Sequence, residues 1–401
     1  MKKVYLIGIG TGTHEGLTGK ASGIISSCDL LFGADRMLEA AAQYPGKKIN
    51  TYKPDEISDF LKDSEWEKAG VLLSGDVGFY SGAKKLMTAL EEYQPELVPG
   101  ISTVSAFCAA LGLSWDEVSV VSLHGRQMNA VGIADCSRYT FCLLDGAGGV
   151  RKLADRLLYY AFDNVILHIG GRIGYSDEKI YHMRLKEAAA FDCAGPVAAV
   201  IENPTPRERV FPELADEELI RSDVPMTKAE VRCVAIQKLG LSKSSVLYDI
   251  GAGTGSVAVQ AALCYPESSV YAIECKEEAL RLIEENKRKF RADNVTIVAG
   301  KAPEAFLDIP APTHAFIGGS GGRMREILRR LWEKNPRTVV LISMITLETL
   351  SETLTLAEEY GIEPEVVQLS VSKAKKAGKS RLMLAQNPVM LIKLETEAAH
   401  E

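Results

Sequence analysis

Short apolar runs alternate with amphipathic stretches along most of the chain. Residues 4–9 and 30–32 are predicted strands, and a glycine loop and a helical stretch near residues 19–27 lie between them, which gives the order strand, loop, helix, strand. Further strand runs occur at residues 71–74, 118–122, 139–144, 165–169 and 197–201, with helical periodicity at residues 83–92 and 150–161. The first half of the chain is therefore predicted to be α/β.

The alternating pattern breaks over residues 203–227 and then starts again. Pro204 and Pro206 stand close together there and acidic turns follow; two prolines so close cannot continue a helix or a central strand. Beyond the break, helices are predicted at residues 228–239, 257–264 and 277–288, and strands at residues 246–250, 269–273 and 295–298. Such alternation predicts a largely parallel sheet. We therefore predict two domains, residues 1–210 and 211–401.

Composition and charge exclude several classes of protein. Of the 401 residues, 46% are apolar and 25% are charged, the balance of a folded globular protein. The chain has 46 Lys and Arg against 53 Asp and Glu, so it lacks the basic excess of a protein that binds nucleic acid through its phosphates. Its eight cysteines form no C-x-x-C pair, and no apolar run suits a signal sequence or a membrane helix. We expect a cytoplasmic protein with reduced thiols, no metal site, and no nucleic-acid or membrane partner.

A glycine loop is the most specific feature of the second half. The predicted strand over residues 246–250 runs into Gly251, Ala252, Gly253, Thr254 and Gly255. Glycines at such a strand end let the backbone approach a nucleotide-like ligand closely. The loop alone does not choose between nucleotide cofactors, so the residues that flank it decide more.

Two carboxylates flank this loop. Glu274 ends the next predicted strand, where a carboxylate accepts hydrogen bonds from ribose hydroxyls. Asp249 precedes the first glycine, and its charge would repel a pyrophosphate but attract a cationic ligand. S-adenosylmethionine, which carries a sulfonium and an ammonium against one carboxylate, is such a ligand. In the alternative interpretation, Asp249 caps the following loop and Glu274 is a solvent-exposed strand end.

Several segments of the second half, taken in order, point to one family. They are residues 227–232, 249–256, 272–274, 300–305, 316–322, 346–348 and 387–389. In them the chain resembles the decarboxylating precorrin-6B ring-carbon-15 methyltransferases of cobalamin biosynthesis, over nearly all of residues 222–395. The resemblance implies an S-adenosylmethionine site lined by Thr227, the loop residues 251–255, Glu274 and Ala302. Thr227 is equally well placed to open a helix in a capping box with Glu230.

The same resemblance bears on the substrate. Methyltransferases that act on amines often carry an Asp-Pro-Pro-Tyr motif where residues 316–319 are Phe-Ile-Gly-Gly, so the side-chain acceptor for an amine nitrogen is missing. Gly318 and Gly319 would leave bare backbone for a large flat substrate, and Arg323 would bind its carboxylates. A lysine-rich stretch at residues 373–381 has the same role or forms an exposed hairpin tip.

Segments of the first half point to a second family. They are residues 8–12, 17–18, 74–80, 99–105 and 122–126. They resemble the tetrapyrrole methylase superfamily, and within it the precorrin ring-carbon-5 methyltransferases, over residues 1 to about 210. The resemblance implies that S-adenosylmethionine binds between two subdomains, in contact with Gly75, Asp76, Phe79, Ser102 and Thr103.

The first half also offers candidate substrate ligands and two departures from the family. His124 and Arg126 would orient substrate carboxylates or take part in proton transfer, and a structural role for His124 is equally open. Thr11 and Val77 stand where the family has prolines, which predicts looser loops.

The two resemblances together imply a fused enzyme. The expected fold is an N-terminal tetrapyrrole-methylase α/β domain of two subdomains, followed by a C-terminal class I, Rossmann-like methyltransferase domain. The expected activity is methylation of ring carbons 5 and 15 of a precorrin-6 or cobalt-precorrin-6 type macrocycle, with decarboxylation of the acetate on ring carbon 12. Each domain would use its own S-adenosylmethionine, and a homo-oligomer is expected. Glu230 and Glu348 are unranked acid–base candidates, so no catalytic residue is assigned.

Two alternatives remain at this point. One is an RNA methyltransferase, because the tetrapyrrole methylase superfamily includes enzymes that act on ribosomal RNA. The other is a catalytic second domain joined to a first domain that only binds and does not catalyse.

Overall fold

The computed structural model describes residues 2–124, 128–146, 148–191, 197–207 and 213–396. The chain divides into two compact units, Met1–Ala130 with Ser137–Pro206, and Val131–Cys136 with Arg207–Glu401. The boundary expected at residue 210 falls within residues 208–212, which lie outside the described residues.

The first unit begins with a parallel five-stranded sheet in the order β3-β2-β4-β1-β5. Its strands are β1 (Lys3–Gly8), β2 (Leu30–Gly33), β3 (Lys47–Asn50), β4 (Lys68–Leu73) and β5 (Glu96–Val98), and its helices are α1 (Gly19–Ile25), α2 (Asp35–Ala40), α3 (Pro54–Lys62), α4 (Ala83–Ala89) and α5 (Thr103–Leu111). Leu6 and Phe32 are fully buried on one face, and Ile7 and Leu31 on the other. Apolar cover on both faces is typical of parallel sheets, so the α/β prediction is confirmed here.

A second five-stranded sheet completes the first unit, in the order β6-β7-β10-β8-β9. Its strands are β6 (Val118–Ser122), β7 (Tyr139–Leu143), β8 (Ile166–Gly171), β9 (Lys179–Arg184) and β10 (Val197–Glu202). Helix α6 (Ala130–Cys136) lies between β6 and β7 along the chain but belongs, from Val131 on, to the second unit. The helices of the first unit here are α7 (Gly149–Tyr159) and α8 (Leu185–Ala188). Only the β6–β7 pair is parallel; the other three pairs are antiparallel. A short connection joins β8 to β9, and a short connection can join only antiparallel neighbours.

The second unit contains a seven-stranded sheet in the order β13-β12-β11-β14-β15-β19-β16. Its elements are α9 (Ala229–Leu239), β11 (Val246–Ile250), α10 (Ser256–Cys264), β12 (Ser269–Glu274), α11 (Glu277–Lys289), β13 (Val295–Ala299), β14 (His314–Ile317), α12 (Met324–Lys334), β15 (Val339–Met344), α13 (Leu347–Glu359), β16 (Glu365–Leu369) and β19 (Val389–Leu394). The predicted helices and strands are confirmed within a few residues. The sheet is parallel except at β19, which runs antiparallel to both its neighbours. The strand order reverses direction between β11 and β14, the position where α/β sheets bind ligands.

Residues 372–385 of the second unit form a separate hairpin between β16 and β19. Strands β17 (Ser372–Ala377) and β18 (Ser380–Ala385) pair only with each other among the described strands. Every residue of both strands is exposed, and Gly378, with φ +60°, makes the turn. The exposed-hairpin interpretation of residues 373–381 is therefore confirmed. Within the described chain, every helix is too short or too polar to cross a bilayer.

Candidate functional site

In the second unit, the loops that follow β11 and β14 touch backbone to backbone. Gly251 has φ +71°, and a Cβ atom at this position would lie 2.8 Å from the carbonyl oxygen of Gly319. A Cβ at Gly253 would lie 2.7 Å from the carbonyl oxygen of Pro225. Only glycine fits such contacts without a shift of the backbone. Apart from Gly319 and its two chain neighbours, no atom of the described residues lies within 4 Å of a Cβ built on Gly319, so the floor there is open.

Glu274 ends β12 and is tied to the glycine loop. One carboxylate oxygen, Oε2, accepts a hydrogen bond from Gly253 N at 3.0 Å. The other, Oε1, accepts from Cys275 N at 2.7 Å and from Lys276 N at 3.0 Å. The side chain is 9% exposed. These three bonds fix the carboxylate at the rim of the loop, so the solvent-exposed alternative for Glu274 is wrong.

A cavity of about 230 Å³ opens beside Glu274, where strands β11, β12 and β14 end. Five of the residues expected to bind cofactor or substrate line it: Gly251, Glu274, Ala302, Gly319 and Arg323. The remaining wall residues are Ile250, Ile273, Cys275, Gly300, Lys301, Ser320 and Gly321. Cofactor or substrate contacts were also expected of Thr227, Asp249, Ala252, Gly253, Thr254, Gly255 and Gly318, which are not among the lining residues.

Asp249 lies beneath the loop, away from the cavity. Its side chain is 1% exposed, and its Oδ2 accepts a hydrogen bond from Ala258 N at 2.9 Å, in the first turn of α10. Burial raises the pKa of this carboxyl to about 7. The contact is the one expected of a residue that caps the element after the loop.

Asp249→Asn should change the pH dependence of stability. Because the pKa is higher in the folded chain than in the unfolded one, the folded chain binds more protons, and stability falls as pH rises from about 4 to 7. The shift in pKa corresponds to a loss in the free energy of unfolding, on the order of 4 kcal/mol, between the acidic and the neutral end of this range. Urea unfolding across this range should therefore show the wild type losing stability relative to the variant. A constant difference between the two chains would refute this role of Asp249.

The capping box expected at Thr227 is wrong. Helix α9 begins at Ala229 with Lys228 at its N-cap, and no N-cap side-chain bond forms. Instead, Asp216 Oδ1 accepts a hydrogen bond from Ala229 N at 3.0 Å. Spacing along the chain could not reveal this, because the capping carboxylate lies thirteen residues before the helix.

Residues 214–227, which we call the strap, are held by a buried arginine. Arg232 is 0% exposed; it donates to the carbonyl oxygens of Thr227 at 2.7 Å and of Leu214. It also donates to Gln260 Oε1 at 2.6 Å and to Asp216 Oδ1 at 3.4 Å. Both ends of the strap are thus tied to one side chain, which positions Thr227.

A buried asparagine ties the strap to the glycine loop. Asn286 is 0% exposed. Its Oδ1 accepts from Ile220 N at 2.7 Å, and its Nδ2 donates to the carbonyl oxygens of Ile220 at 2.8 Å and of Thr254 at 3.0 Å. Together with the contact between Pro225 and Gly253, this makes the strap part of the wall behind the loop.

Arg323 lines the cavity but is already paired. Its guanidinium donates to both carboxylate oxygens of Glu304, at 2.6 and 2.7 Å, and to Glu326. The arginine lowers the pKa of Glu304 to about 2. The guanidinium also donates, at 3.1 Å, to a third partner, the carbonyl oxygen of Ala302. Arg323 therefore holds the cavity wall in place, and its expected contact with substrate stays a prediction.

The two acid–base candidates lie outside the wall of this cavity. Glu230 pairs with Lys373 at 2.7 Å, which lowers the pKa of its carboxyl. Glu348 lies in the first turn of α13. Neither arrangement assigns an acid or a base to the reaction.

The first unit contains a cavity of about 780 Å³. Of the expected cofactor ligands, Gly75, Phe79 and Thr103 line it. Much of the wall is apolar, with contributions from Met37, Leu72, Leu86, Leu143, Leu144, Ile173 and Val197. The polar side chains of the wall include Thr11, Arg36, Tyr52, Ser74, Tyr80 and Tyr175. An apolar cavity with a few polar groups is typical of small-molecule sites.

The two other expected cofactor ligands hold loops and do not line this cavity. Asp76 accepts hydrogen bonds from Gly78 N at 2.8 Å and from Gly100 N at 3.1 Å. Ser102 is the N-cap of α5, and its hydroxyl accepts from Ser105 N at 3.2 Å. Both side chains therefore shape the loops that carry Gly75 and Thr103.

His124 lies at the wall of the same cavity, and its Nδ1 is 2.9 Å from Asp145 Oδ1. Arg126, the second expected substrate ligand, lies outside the described residues. In the described ranges, no set of three or more His, Cys, Asp or Glu side chains has the arrangement of a metal site.

Sequence reasoning missed Arg36, Ser74 and Tyr175 as a group. They meet at this cavity although they lie 38 and 139 residues apart along the chain. Arg36 and Tyr175 lie outside the motif segments, and Ser74 was not expected to bind a ligand although it lies in the segment 74–80. Only the tertiary structure brings the three together.

Comparison with known proteins gives two family matches that cover different parts of the chain. The model described as "Tetrapyrrole (Corrin/Porphyrin) Methylases" matches residues 3–189. The model described as "Precorrin methyltransferase domain" matches residues 218–396.

Individual relatives match about four fifths of the chain or about half of it. A Sinorhizobium protein named precorrin-6Y C(5,15)-methyltransferase (decarboxylating) is 30% identical over 331 residues, which are 79% of this chain and 78% of the relative. A Pyrobaculum calidifontis protein named probable cobalt-precorrin-6B C(15)-methyltransferase (decarboxylating) is 42% identical over 184 residues, 45% of this chain and 94% of the relative. A crystal structure titled precorrin-6Y C5,15-methyltransferase, from Geobacter metallireducens, has 34% identity and a TM-score of 0.45, and covers 47% of this chain and 100% of that one.

Proposed function

The chain belongs to the family of decarboxylating precorrin-6Y C(5,15)-methyltransferases of cobalamin biosynthesis, and from this membership we propose how its two units divide the work. The first unit methylates ring carbon 5 of the macrocycle. The second unit methylates ring carbon 15 and removes the carboxyl group of the acetate on ring carbon 12. Each unit binds its own S-adenosylmethionine, the methyl donor of the family.

The observation that carries this proposal is that each unit has its own cavity beside a glycine-containing loop. In the second unit the residues fit the methyl donor. The close approach of Gly251 to Gly319 leaves a backbone floor, and Glu274, at the end of the neighbouring strand, is placed to accept from ribose hydroxyls. The proposed donor ligands are Gly251, Glu274 and Ala302, with Thr227 and residues 252–255 as the support behind them.

S-adenosylmethionine supplies an electrophilic methyl group in both units. The protein's part in such a transfer is to hold the two reactants close and in line. Gly318 and Gly319 present backbone without side chains beside the proposed donor site, and a Cβ at Gly319 would meet no described residue other than its chain neighbours within 4 Å. A flat macrocycle has room to approach there, and Arg323, held by Glu304, stiffens the wall of the same cavity.

In the first unit, the proposed donor ligands are Gly75, Phe79 and Thr103. Gly75 pairs with Gly10 through two backbone hydrogen bonds, at 2.8 and 3.1 Å, so the loops after β1 and β4 are locked together beside the cavity. Asp76 and Ser102 act by holding these loops. His124, paired with Asp145, lies at the wall, where an imidazole can orient a substrate carboxylate or transfer a proton.

The proposed substrate is the macrocycle and not RNA. The chain belongs to a family of precorrin methyltransferases, which excludes the alternative of an RNA methyltransferase. The other alternative, a first unit that binds without catalysis, is decided by the products. We also propose the cytoplasm as the location, since the seven described cysteines form no disulfide with one another, as reducing compartments favour.

The exposed hairpin β17–β18 supports a homo-oligomer. Leu382, Met383 and Leu384 are 55%, 66% and 48% exposed. A two-stranded sheet with exposed apolar side chains is marginal on its own and marks an interaction surface. The proposed partner is a second copy of the chain, so light scattering should give a multiple of 43.6 kDa; a monomer would contradict this.

Mass spectrometry of the products tests the division of work. The full chain is incubated with a precorrin-6 macrocycle and S-adenosylmethionine that carries an isotopically labelled methyl group. We expect two labelled methyl groups and the loss of one carbon dioxide per macrocycle. A product methylated at carbon 15 alone would favour the non-catalytic first unit, and an unchanged macrocycle would contradict the proposal.

A further inference from the structure

We propose that Arg36, with Ser74 and Tyr175, forms a carboxylate-binding site in the cavity of the first unit. The inference rests on the proposed function of that cavity and adds two residues, Arg36 and Tyr175, that lie outside the motif segments. Two ligands of the cavity carry carboxylates, the side arms of the macrocycle and the methionine end of the methyl donor. The shared chemistry is a carboxylate bound by a guanidinium, and the experiment separates the two sources.

Hydrogen bonds within the cavity wall orient the Arg36 guanidinium. Arg36 lies in the first turn of α2, and its Nη2 donates to Ser74 Oγ at 3.1 Å. Its Nη1 lies 3.5 Å from the hydroxyl oxygen of Tyr175. All three residues line the cavity. A guanidinium has five N–H donors, so these two contacts leave further donors for a ligand.

The positive charge of Arg36 is not balanced by the described part of the protein. No carboxylate among the described residues lies within ion-pair distance of it, whereas Arg323 in the second unit binds both Glu304 and Glu326. A half-buried charge without a partner is costly, and it gains most from a ligand of opposite charge. Arg36, and not Arg323, is therefore the cavity arginine that can take a ligand carboxylate.

The turn that carries Tyr175 is built to hold the tyrosine in place. The guanidinium of Arg172 stacks over the Tyr175 ring, 4.3 Å from its centroid, and is itself fixed by Asp177 at 2.7 Å. A Cβ at Gly12 would lie 2.5 Å from the Tyr175 hydroxyl oxygen, so this glycine makes room for the phenol. Because Asp177 balances Arg172, the turn positions Tyr175 without competing for the ligand.

Arginine suits this role better than lysine. Its planar fork binds both oxygens of a carboxylate at once, and it stays charged over the whole range in which enzymes work. The apolar side chains Met37 and Leu72 lie in the same wall, and a drier surrounding strengthens a charge-assisted bond. An arginine at the edge of an apolar cavity can thus fix how a flat ligand with acidic arms enters.

The test uses Arg36→Gln in the full chain and measures binding without turnover. In one arm, equilibrium dialysis follows the visible absorbance of the macrocycle with no methyl donor present. In the other, calorimetry follows S-adenosylhomocysteine, which keeps the carboxylate. Loss of one charge-assisted contact should weaken binding roughly 10- to 100-fold in the arm whose ligand supplies the carboxylate. Methylthioadenosine, which lacks the amino-acid group, should bind both chains equally.

Two variants serve as controls. Arg151→Gln makes the same change at an exposed position of α7 that does not line the cavity, and it should bind both ligands like the wild type. Arg36→Lys keeps the charge without the fork and should give an intermediate loss, which also covers the case in which Arg36→Gln does not fold.

The outcomes separate this inference from the proposed function. If Arg36→Gln and Arg36→Lys bind both ligands as tightly as Arg151→Gln does, the carboxylate site is refuted, even where the wild type methylates carbon 5. If the variants lose binding but the wild-type chain never methylates carbon 5, the carboxylate site stands and the proposed activity of the first unit fails.

Discussion

Arg232→Met is expected to destabilise the second unit by about 3–5 kcal/mol, because it leaves the Asp216 carboxylate buried without its cationic partner. Arg232 is fully buried and ties Leu214 and Thr227, the two ends of the strap, to Gln260. Without it, the wall behind the glycine loop loses its support. Urea unfolding should show the loss of stability, and methylation at carbon 15 should fall far more than methylation at carbon 5.

Arg281→Met is the matched control. Arg281 lies on α11, is 71% exposed and has one ion pair, with Glu285 one helical turn away; such a pair contributes little to stability. The control should behave as the wild type in both measurements. Equal losses at carbons 5 and 15 in Arg232→Met would contradict a role confined to the second unit.

Gly251→Ala should lower methyl transfer at carbon 15 about a hundredfold, because a displacement of about 1 Å in a site can cost that much. The new Cβ would lie 2.8 Å from Gly319 O and 3.0 Å from Gly319 N, both backbone atoms that have to move. Two walls of the proposed donor site would therefore shift apart. Methylation at carbon 5 should stay at the wild-type level, which mass spectrometry of the same sample shows directly.

Gly240→Ala separates this contact from the cost of the backbone conformation. Gly240 has φ +66°, close to the +71° of Gly251, but in the part of the chain that the structure describes a Cβ at Gly240 would lie within 4 Å of nothing except its chain neighbours. The control should share the modest loss of stability from an alanine at positive φ and keep its activity at carbon 15. If both variants lost this activity to the same degree, strain alone would explain the effect and the contact with Gly319 would not matter.

The sequence predicted much of the fold because apolar periodicity reports on local structure. Strand β11 matches its predicted residues 246–250, and β12 and β13 each end one residue later than predicted. The antiparallel strand β19 was not predicted, since the direction of a strand depends on its partners and not on its own pattern. The same holds for the antiparallel pairs of the second sheet in the first unit.

The candidate sites were predicted in part. The position of Glu274 along the chain was enough to predict where it lies, because an acid at the end of the second strand necessarily lies beside the glycine loop. Asp249 follows the same logic of position, yet its carboxylate turns beneath the loop to bond Ala258 N, a choice that depends on packing. Arg36 and Tyr175 come together only through tertiary structure, so neither periodicity nor motif could pair them.

Calorimetric counting of methyl-donor sites shows whether each unit binds its own S-adenosylmethionine. Titration of the wild-type chain with S-adenosylhomocysteine should give two sites per chain, and the same titration of Gly251→Ala should leave one. No binding, a single site in the wild type, or a preference for a nicotinamide dinucleotide at the site of Glu274 would contradict the proposal of one methyl-donor site in each unit.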